Sequence, residues 1–230
     1  MIFIGALEKP FMPIDKQILQ LKNDRNLLFQ SEETAKLHLT RYGYYEIVNG
    51  YKDHFMKDEH DDNAGFIDGI TFEHIYALFN FDKSLREQVM SALENFESNL
   101  RQVVAYTVAE QISDDQNLYL KRYRYNVGKK YQNRWKKYVY PIDNLLKVLT
   151  NITFAKTEPY KHYREEHHNI PPWIIVKRLS FGNLIWWVRL LKRQEKDLVI
   201  SRMLGIPTQV IQAVPEVRTM FGTLLTLYLN

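Results

Sequence analysis

A chain of 230 residues, 45% hydrophobic and 25% charged, has ordinary globular composition and enough length to bury a core without staples. It contains no cysteine, which excludes disulfides, thiolate metal sites and cysteine nucleophiles, and its formal net charge is +4. Its seven histidines show no HExxH-type spacing, and no uncharged apolar run approaches the length of about 20 residues that spans a membrane. No metal, cofactor or membrane is therefore expected. The apolar run over residues 1–7 is too short for a signal peptide, so the reading is a soluble, cytoplasmic protein.

The hydrophobic pattern is helical along nearly the whole chain. Ile14, Ile18 and Leu21 fall at i, i+4 and i+7 after Pro13 and predict a short amphipathic helix. Ser31 followed by Glu32 and Glu33 reads as an N-cap with acids in the first turn, opening a second helix toward Arg41. Gly43 interrupts the pattern, and residues 44–55 predict a third helix whose Tyr44, Tyr45 and Tyr51 pack inward. Residues 57–69, with Asp58, Glu59, Asp61 and Asp62, predict an acidic loop. Between Thr71 and Ile112 apolar residues recur at spacings of three and four, through Phe72, Ile75, Leu85, Val89, Phe96, Leu100, Val104 and Val108. That spacing predicts one long helix, or two nearly collinear helices broken near Phe81-Asp82, acting as the spine of a bundle.

Helical character resumes over residues 144–152. His162, His167 and His168, beside Lys161 and Arg164, read as a polar cluster in a solvated loop. Pro171-Pro172 before Trp173 suits helix initiation, and Ser180 can cap a helix carrying Phe181, Trp186 and Trp187 into the core. Gly205 ends a further helix, Ile206-Pro207 begins the next, and Pro215 opens a last one with Val217, Phe221, Leu224 and Tyr228 on one side. No period-two strand, Asn-Gly hairpin turn, repeat or linker stands out. A single all-α domain over residues 1–230 is expected.

The segment from Tyr119 to Tyr140 departs from the rest in charge. It holds Lys121, Arg122, Arg124, Lys129, Lys130, Arg134, Lys136 and Lys137, no acid, and the rings of Tyr119, Tyr123, Tyr125, Tyr131, Trp135, Tyr138 and Tyr140. Against a net charge of +4, these eight cations leave a net −4 on the remainder, so the positive field is local. Cations neutralise phosphates and aromatic planes stack on unpaired bases, which suits single-stranded or structured RNA. The bland alternative is a solvated helix face whose tyrosines pack inward. The candidate RNA-binding residues are Lys121, Arg122, Tyr123, Arg124, Lys129, Lys130, Arg134, Trp135, Lys136 and Lys137.

Several short motifs follow one another along the chain. Lys9-Pro10-Phe11 leads into Ile14 to Leu21, and Leu39-Thr40-Arg41-Tyr42-Gly43-Tyr44-Tyr45 continues to Gly50-Tyr51 and Phe55. Phe81-Asp82-Lys83-Ser84-Leu85-Arg86 precedes Glu97-Ser98-Asn99-Leu100-Arg101, and Pro171-Pro172-Trp173 precedes Leu179-Ser180-Phe181-Gly182-Asn183-Leu184. In this order they resemble the Abi-like family, the abortive-infection phage-resistance proteins of bacteria. The resemblance implies a HEPN-like helical bundle built on a long central helix or helix pair. It also implies metal-independent ribonuclease chemistry through an Arg-x4–6-His motif near the C-terminus, assembly as a homodimer and, in some members, a small noncoding RNA partner of the toxin-antitoxin kind. Histidine suits proton transfer near neutrality, and arginine suits a developing phosphorane charge.

The sequence departs from that pattern. No Arg-x4–6-His spacing occurs; Arg164 and His168 have three residues between them and precede Pro171-Pro172. The expectation is a chain ending just before the catalytic element, or one that keeps the scaffold without the chemistry. Glu97 and Arg101 sit at i and i+4, in the favourable order for a helical ion pair. By resemblance they would be a catalytic supporting pair. The leading expectation is an RNA-binding antiphage protein of the HEPN ribonuclease type. The alternatives are a non-enzymatic dimeric scaffold or phage-component sensor, and a DNA-binding regulator.

Overall fold

The computed structural model describes residues 11–58 and 60–227, apart from the side chain of Asp62. The apolar run over 1–7, Lys9-Pro10, Glu59 and Tyr228 lie outside the described residues. The chain divides into two compact units, Met1–Ser91 and Ala92–Asn230. No described helix is long and apolar enough to cross a membrane.

In the first unit, Pro13 precedes α1 (Ile14–Asn23), which buries Ile18 and Leu21. The Thr34 N–H donates to Ser31 Oγ at 3.2 Å and starts α2 (Glu32–Tyr42) as the sequence predicts. Gly43, at φ +88°, turns the chain out of α2 in a conformation that favours glycine. Residues 44–55 are helical throughout, as expected, but the regular α form gives way to a π-helical turn, Tyr45–Asn49, and a 3-10 turn, Lys52–Phe55. Gly50 keeps helical dihedrals, φ −70° and ψ −23°, and its N–H reaches back to Tyr45 O, closing the π-helical turn. The turn buries Ile47 and Val48, while Tyr45 stays 65% exposed rather than packing inward.

Helix α3 (Phe72–Gln111) is one unbroken element of 40 residues. Asp82, where a break was conceivable, is held on the helix surface by Arg86 one turn on, at 2.8 Å. Phe72, Tyr76 and Phe79 form a stacked aromatic row against Phe29, Tyr42 and Tyr51. Two members of the expected core stripe, Leu85 and Val89, are instead exposed. Periodicity reports which side chains share a face; it does not report that anything covers that face.

In the second unit, Leu100, Val104 and Val108 of α3 enter a core with Leu145 and Leu149 of α5 (Pro141–Thr153). Between them lie the single turn α4 (Gln116–Tyr119) and an antiparallel hairpin, β1 (Tyr131–Gln132) with β2 (Tyr138–Val139). Next come α6 (Tyr160–Glu166), where the sequence predicted a loop, and the short α7 (Pro172–Ile175). The Asn183 N–H donates to Ser180 Oγ at 3.3 Å, capping α8 (Phe181–Leu190), which sends Leu184, Trp187 and Val188 into the core. Trp186, expected beside them, is 39% exposed with Arg189 over its ring. Helix α9 (Arg193–Leu204) ends at Gly205 in the left-handed region, φ +66°. Helices α10 (Thr208–Ala213) and α11 (Pro215–Leu227) follow. Inside this unit Arg218 makes a bidentate pair with buried Asp197, at 2.6 and 2.8 Å. The protein is all-α, as predicted, apart from the one small hairpin.

Candidate nucleic-acid interface

The cationic segment is neither a helix face nor a plain loop. Tyr119, at the end of α4, is buried and its hydroxyl donates to Ile170 O; Tyr125 is buried and donates to Tyr119 O at 2.8 Å. The Trp187 indole N–H donates to the Tyr125 hydroxyl at 3.2 Å. Burial pushes both phenols far above the ordinary tyrosine range, so they stay neutral. These two rings belong to the core and are unavailable for stacking. Asn126 then pins the chain to the end of α8, donating from its backbone to Leu190 O and from its amide to Leu191 O, both at 2.8 Å. Gly128 sits at φ +76°, where a Cβ would come within 2.8 Å of the Pro141 ring.

Beyond that anchor the hairpin rises. Its turn, residues 133–136, uses Asn133 Oδ1 as acceptor for the backbone N–H groups of Trp135 and Lys137, both at 3.0 Å. Lys136 takes φ +58°, the position a glycine would ordinarily fill. The sequence reading expected no hairpin. Two-residue strands are too short to show a period of two, and the turn carries no Asn-Gly pair to betray it.

The hairpin brings residues distant in sequence into one row. The Arg122 guanidinium lies 5.3 Å from the Tyr140 ring centre, and Lys130 Nζ lies 5.8 Å from the same ring and 5.1 Å from Tyr138. Cation and ring therefore alternate as Arg122, Tyr140, Lys130, Tyr138. Arg124 lies over Tyr123 at 5.2 Å, and Arg134 over Trp135 at 3.9 Å at the tip. Arg122 is also paired with Asp143 at 2.8 Å. Lys121, Lys129, Lys136 and Lys137 are exposed, with no side-chain hydrogen bond or ion pair among the described residues. Tyr123, Trp135 and Tyr138 each present more than 60% of their surface. All ten predicted RNA-binding residues sit on this substructure. Arg124 alone is half-buried, its Nε enclosed without a hydrogen-bond partner.

Glu97 and Arg101 are elsewhere in the same unit. Arg101 Nη1 donates to Val176 O at 2.6 Å and Leu179 O at 2.5 Å, and Nη2 donates to Glu97. The guanidinium thus fastens α3 to the segment between Pro171 and Phe181, joining two sequence motifs that lie far apart in the chain. Its donor fork is occupied by backbone carbonyls, the arrangement of a structural clamp. A similar junction appears in the first unit, where Tyr51 donates to Asp82 and receives a bond from Arg86 at 3.2 Å. That hydrogen bond to Asp82 raises the Tyr51 phenol above its ordinary value. Asp82 and Arg86 stand one helical turn apart, but nothing in the sequence pointed to Tyr51 as the third member.

The histidine cluster is on α6 and its end. His162, Tyr163 and His167 pack ring to ring, with His162–His167 centroids 5.3 Å apart. Arg164 is committed to Thr153 O and Ala155 O, both at 2.9 Å. Among the described residues no group of three or more metal-ligating side chains converges.

Residues 37–224 match the sequence model of the family described as Abi-like protein, which covers most of the chain. No curated protein and no solved structure matches it.

Proposed function

We propose that this chain, which belongs to the Abi-like family, serves abortive-infection phage resistance as an RNA-binding protein of the HEPN ribonuclease type. The observation that carries the reading is the row of Arg122, Tyr140, Lys130 and Tyr138, flanked by unpaired lysines on the hairpin. Its cations can neutralise the phosphates of a flexible strand, and its exposed rings offer planes to bases that are not already stacked. A duplex hides its base faces, so single-stranded or looped RNA is the favoured ligand. The sequence holds no Arg-x4–6-His spacing, so the contribution assigned to these residues is binding rather than cleavage.

The test is charge reversal at Lys129, Lys130, Lys136 and Lys137, with binding to a fluorescent single-stranded RNA followed by anisotropy across a salt series. Each lost phosphate contact lowers the log–log salt slope by about 0.7, so four lost contacts flatten it by about 3 and weaken binding severely at low salt. Wild-type affinity and slope in the quadruple variant would remove the proposed surface. A metal-free RNA cleavage assay on the same protein separates binding from nuclease action.

A second reading, a non-enzymatic dimeric scaffold, is favoured by an apolar groove of about 580 Å³ in the second unit. Leu204, Ile206, Val217, Met220, Leu224 and Leu227 line it, and Met220 and Leu227 are largely exposed. A homodimer joined there dissociates in Leu224→Glu, read by sedimentation equilibrium. A wild-type protein that is monomeric at every concentration tested excludes it.

A further inference from the structure

The second unit carries a second cavity whose character is the opposite of the hairpin surface. It encloses about 540 Å³ beside the C-terminal part of α3. Gln102, Tyr106 and Glu110 follow one another at i, i+4 and i+8 on one face of that helix, with Ala105 and Ala109 between them. The two alanines leave the space that a larger residue would fill. Trp173 and Asp114, from outside that helix, complete the lining. Both rings are open to solvent, Tyr106 at 60% and Trp173 at 42% exposure.

The walls are held in place before any ligand arrives. The Asn169 side chain spans them, donating to Asp114 O at 3.0 Å and accepting from the Gln116 N–H at 2.9 Å. The Ile170 N–H donates to the Gln116 side chain at 3.0 Å, just upstream of Pro172 and Trp173. A cleft fixed in this way loses little entropy when it is filled.

Its chemistry selects a cation. The lining contains two carboxylates, two aromatic rings and no basic residue, in a chain whose net charge is positive. The protein already shows how this wall holds a guanidinium. Arg202 lies 4.7 Å from the Tyr106 ring centre and bonds to both Glu110, at 2.5 Å, and Thr107, at 2.7 Å. The hydrogen bond from Arg202 holds the Glu110 carboxyl below its usual range, so it is ionised at neutral pH. Trp173 and Asp114 add a second ring and a second carboxylate to the lining of the same cleft. Asp114 has no side-chain partner among the described residues.

We infer that this cleft is a docking site for an arginine or lysine side chain projecting from a partner protein. The cation lies over the Trp173 ring and pairs with Asp114, as Arg202 does with Tyr106 and Glu110. Nucleic acid is disfavoured because its phosphates would approach the Asp114 carboxylate, which no cation neutralises among the described residues, whereas Glu110 is already paired with Arg202. The inference does not rest on the RNA-binding reading, which uses a different surface.

The experiment follows the indole N–H resonances of the four tryptophans in a ¹⁵N-labelled full chain. Trp173 is assigned by its disappearance in Trp173→Phe. A blocked decapeptide with one central arginine is titrated in, beside the same peptide carrying lysine or uncharged citrulline. Saturable movement of the Trp173 resonance is expected with arginine and lysine, at least tenfold weaker with citrulline, and at least fivefold weaker in Asp114→Asn. Asp114→Asn, isosteric and at an exposed position, retains the other three indole resonances as evidence of folding and binds RNA as the wild type does. No movement with the arginine peptide, equal movement with citrulline, or undiminished affinity in Asp114→Asn overturns the inference. Movement of Trp173 by a single-stranded RNA but not by the peptide overturns it too, and makes the cleft a base-stacking platform.

Discussion

Replacing Arg101 with alanine removes three hydrogen bonds at once. Two go to the carbonyls of Val176 and Leu179, and one to the Glu97 carboxylate. A hydrogen bond to a charged group is worth about 1.5–3 kcal/mol when sheltered, but the Arg101 side chain is 22% exposed, and water can take over part of its role. Discounted for that access, the loss is about 3 kcal/mol. Arg101→Lys recovers less than half of it, because one ammonium cannot serve two carbonyls and a carboxylate from a planar fork. Glu97→Gln keeps an acceptor for the guanidinium and costs about 1 kcal/mol or less. Urea unfolding followed by tryptophan fluorescence measures this cleanly. All four tryptophans, Trp135, Trp173, Trp186 and Trp187, lie in the second unit, so the signal reports that unit alone. The midpoint falls while the slope holds, the signature of lost stability without a change in the denatured state. A loss below about 1 kcal/mol in Arg101→Ala would refute the clamp, since it would mean that the two carbonyls find equivalent partners without it.

The remaining predictions concern the same unit. Arg218→Met strands the buried Asp197 carboxylate and costs about 3–5 kcal/mol in urea unfolding, whereas Asp197→Leu with Arg218→Met costs markedly less than Asp197→Leu and Arg218→Met measured singly and summed. Simple additivity would show that the pair is not coupled. Tyr119 and Tyr125 are buried as neutral phenols with folded values above the unfolded value near 10, so their contribution is complete below that pH and is lost as pH rises above it. Tyrosinate absorbance should therefore show these two of the 15 tyrosines ionising together with alkaline unfolding. Titration of every tyrosine ahead of any fluorescence change would contradict their burial.

Much of the helical plan was legible because its signals are local. Ser31, Ser180, Gly205 and Pro215 mark boundaries by backbone chemistry that depends only on neighbours, and the structure places helix ends at each. The spacing along residues 72–111 predicted helix for the same reason, leaving open a break near Phe81-Asp82 that the structure does not show. What the sequence could not show was tertiary. Leu85 and Val89 carry the periodicity of a core yet lie in water, and Trp186 differs from its neighbour Trp187 only by the 100° that separates consecutive helix positions. The two motif junctions, Arg101 to the 176–179 carbonyls and Tyr51 to Asp82, join residues with no spacing rule between them. The Tyr106–Trp173 cleft had a faint signal, Ala105 and Ala109 beside Tyr106 on one face of α3, but its Trp173 arrives from 67 residues away.

The cationic segment shows why composition can point to a surface while misjudging its shape. A helix through this stretch would set Lys121 against Arg124, Lys130 against Arg134, and Arg134 against Lys137, all at spacings where like charges repel. The hairpin instead separates cations with rings. Lys130 sits between Tyr138 and Tyr140, and Arg122 meets Tyr140 across 18 positions of sequence. For Arg122, Arg124, Lys130 and Arg134 a ring face offsets part of the repulsion through its quadrupole, and Asp143 offsets more at Arg122. Lys121, Lys129, Lys136 and Lys137 have neither ring nor acid beside them among the described residues, so the surface keeps a local positive field.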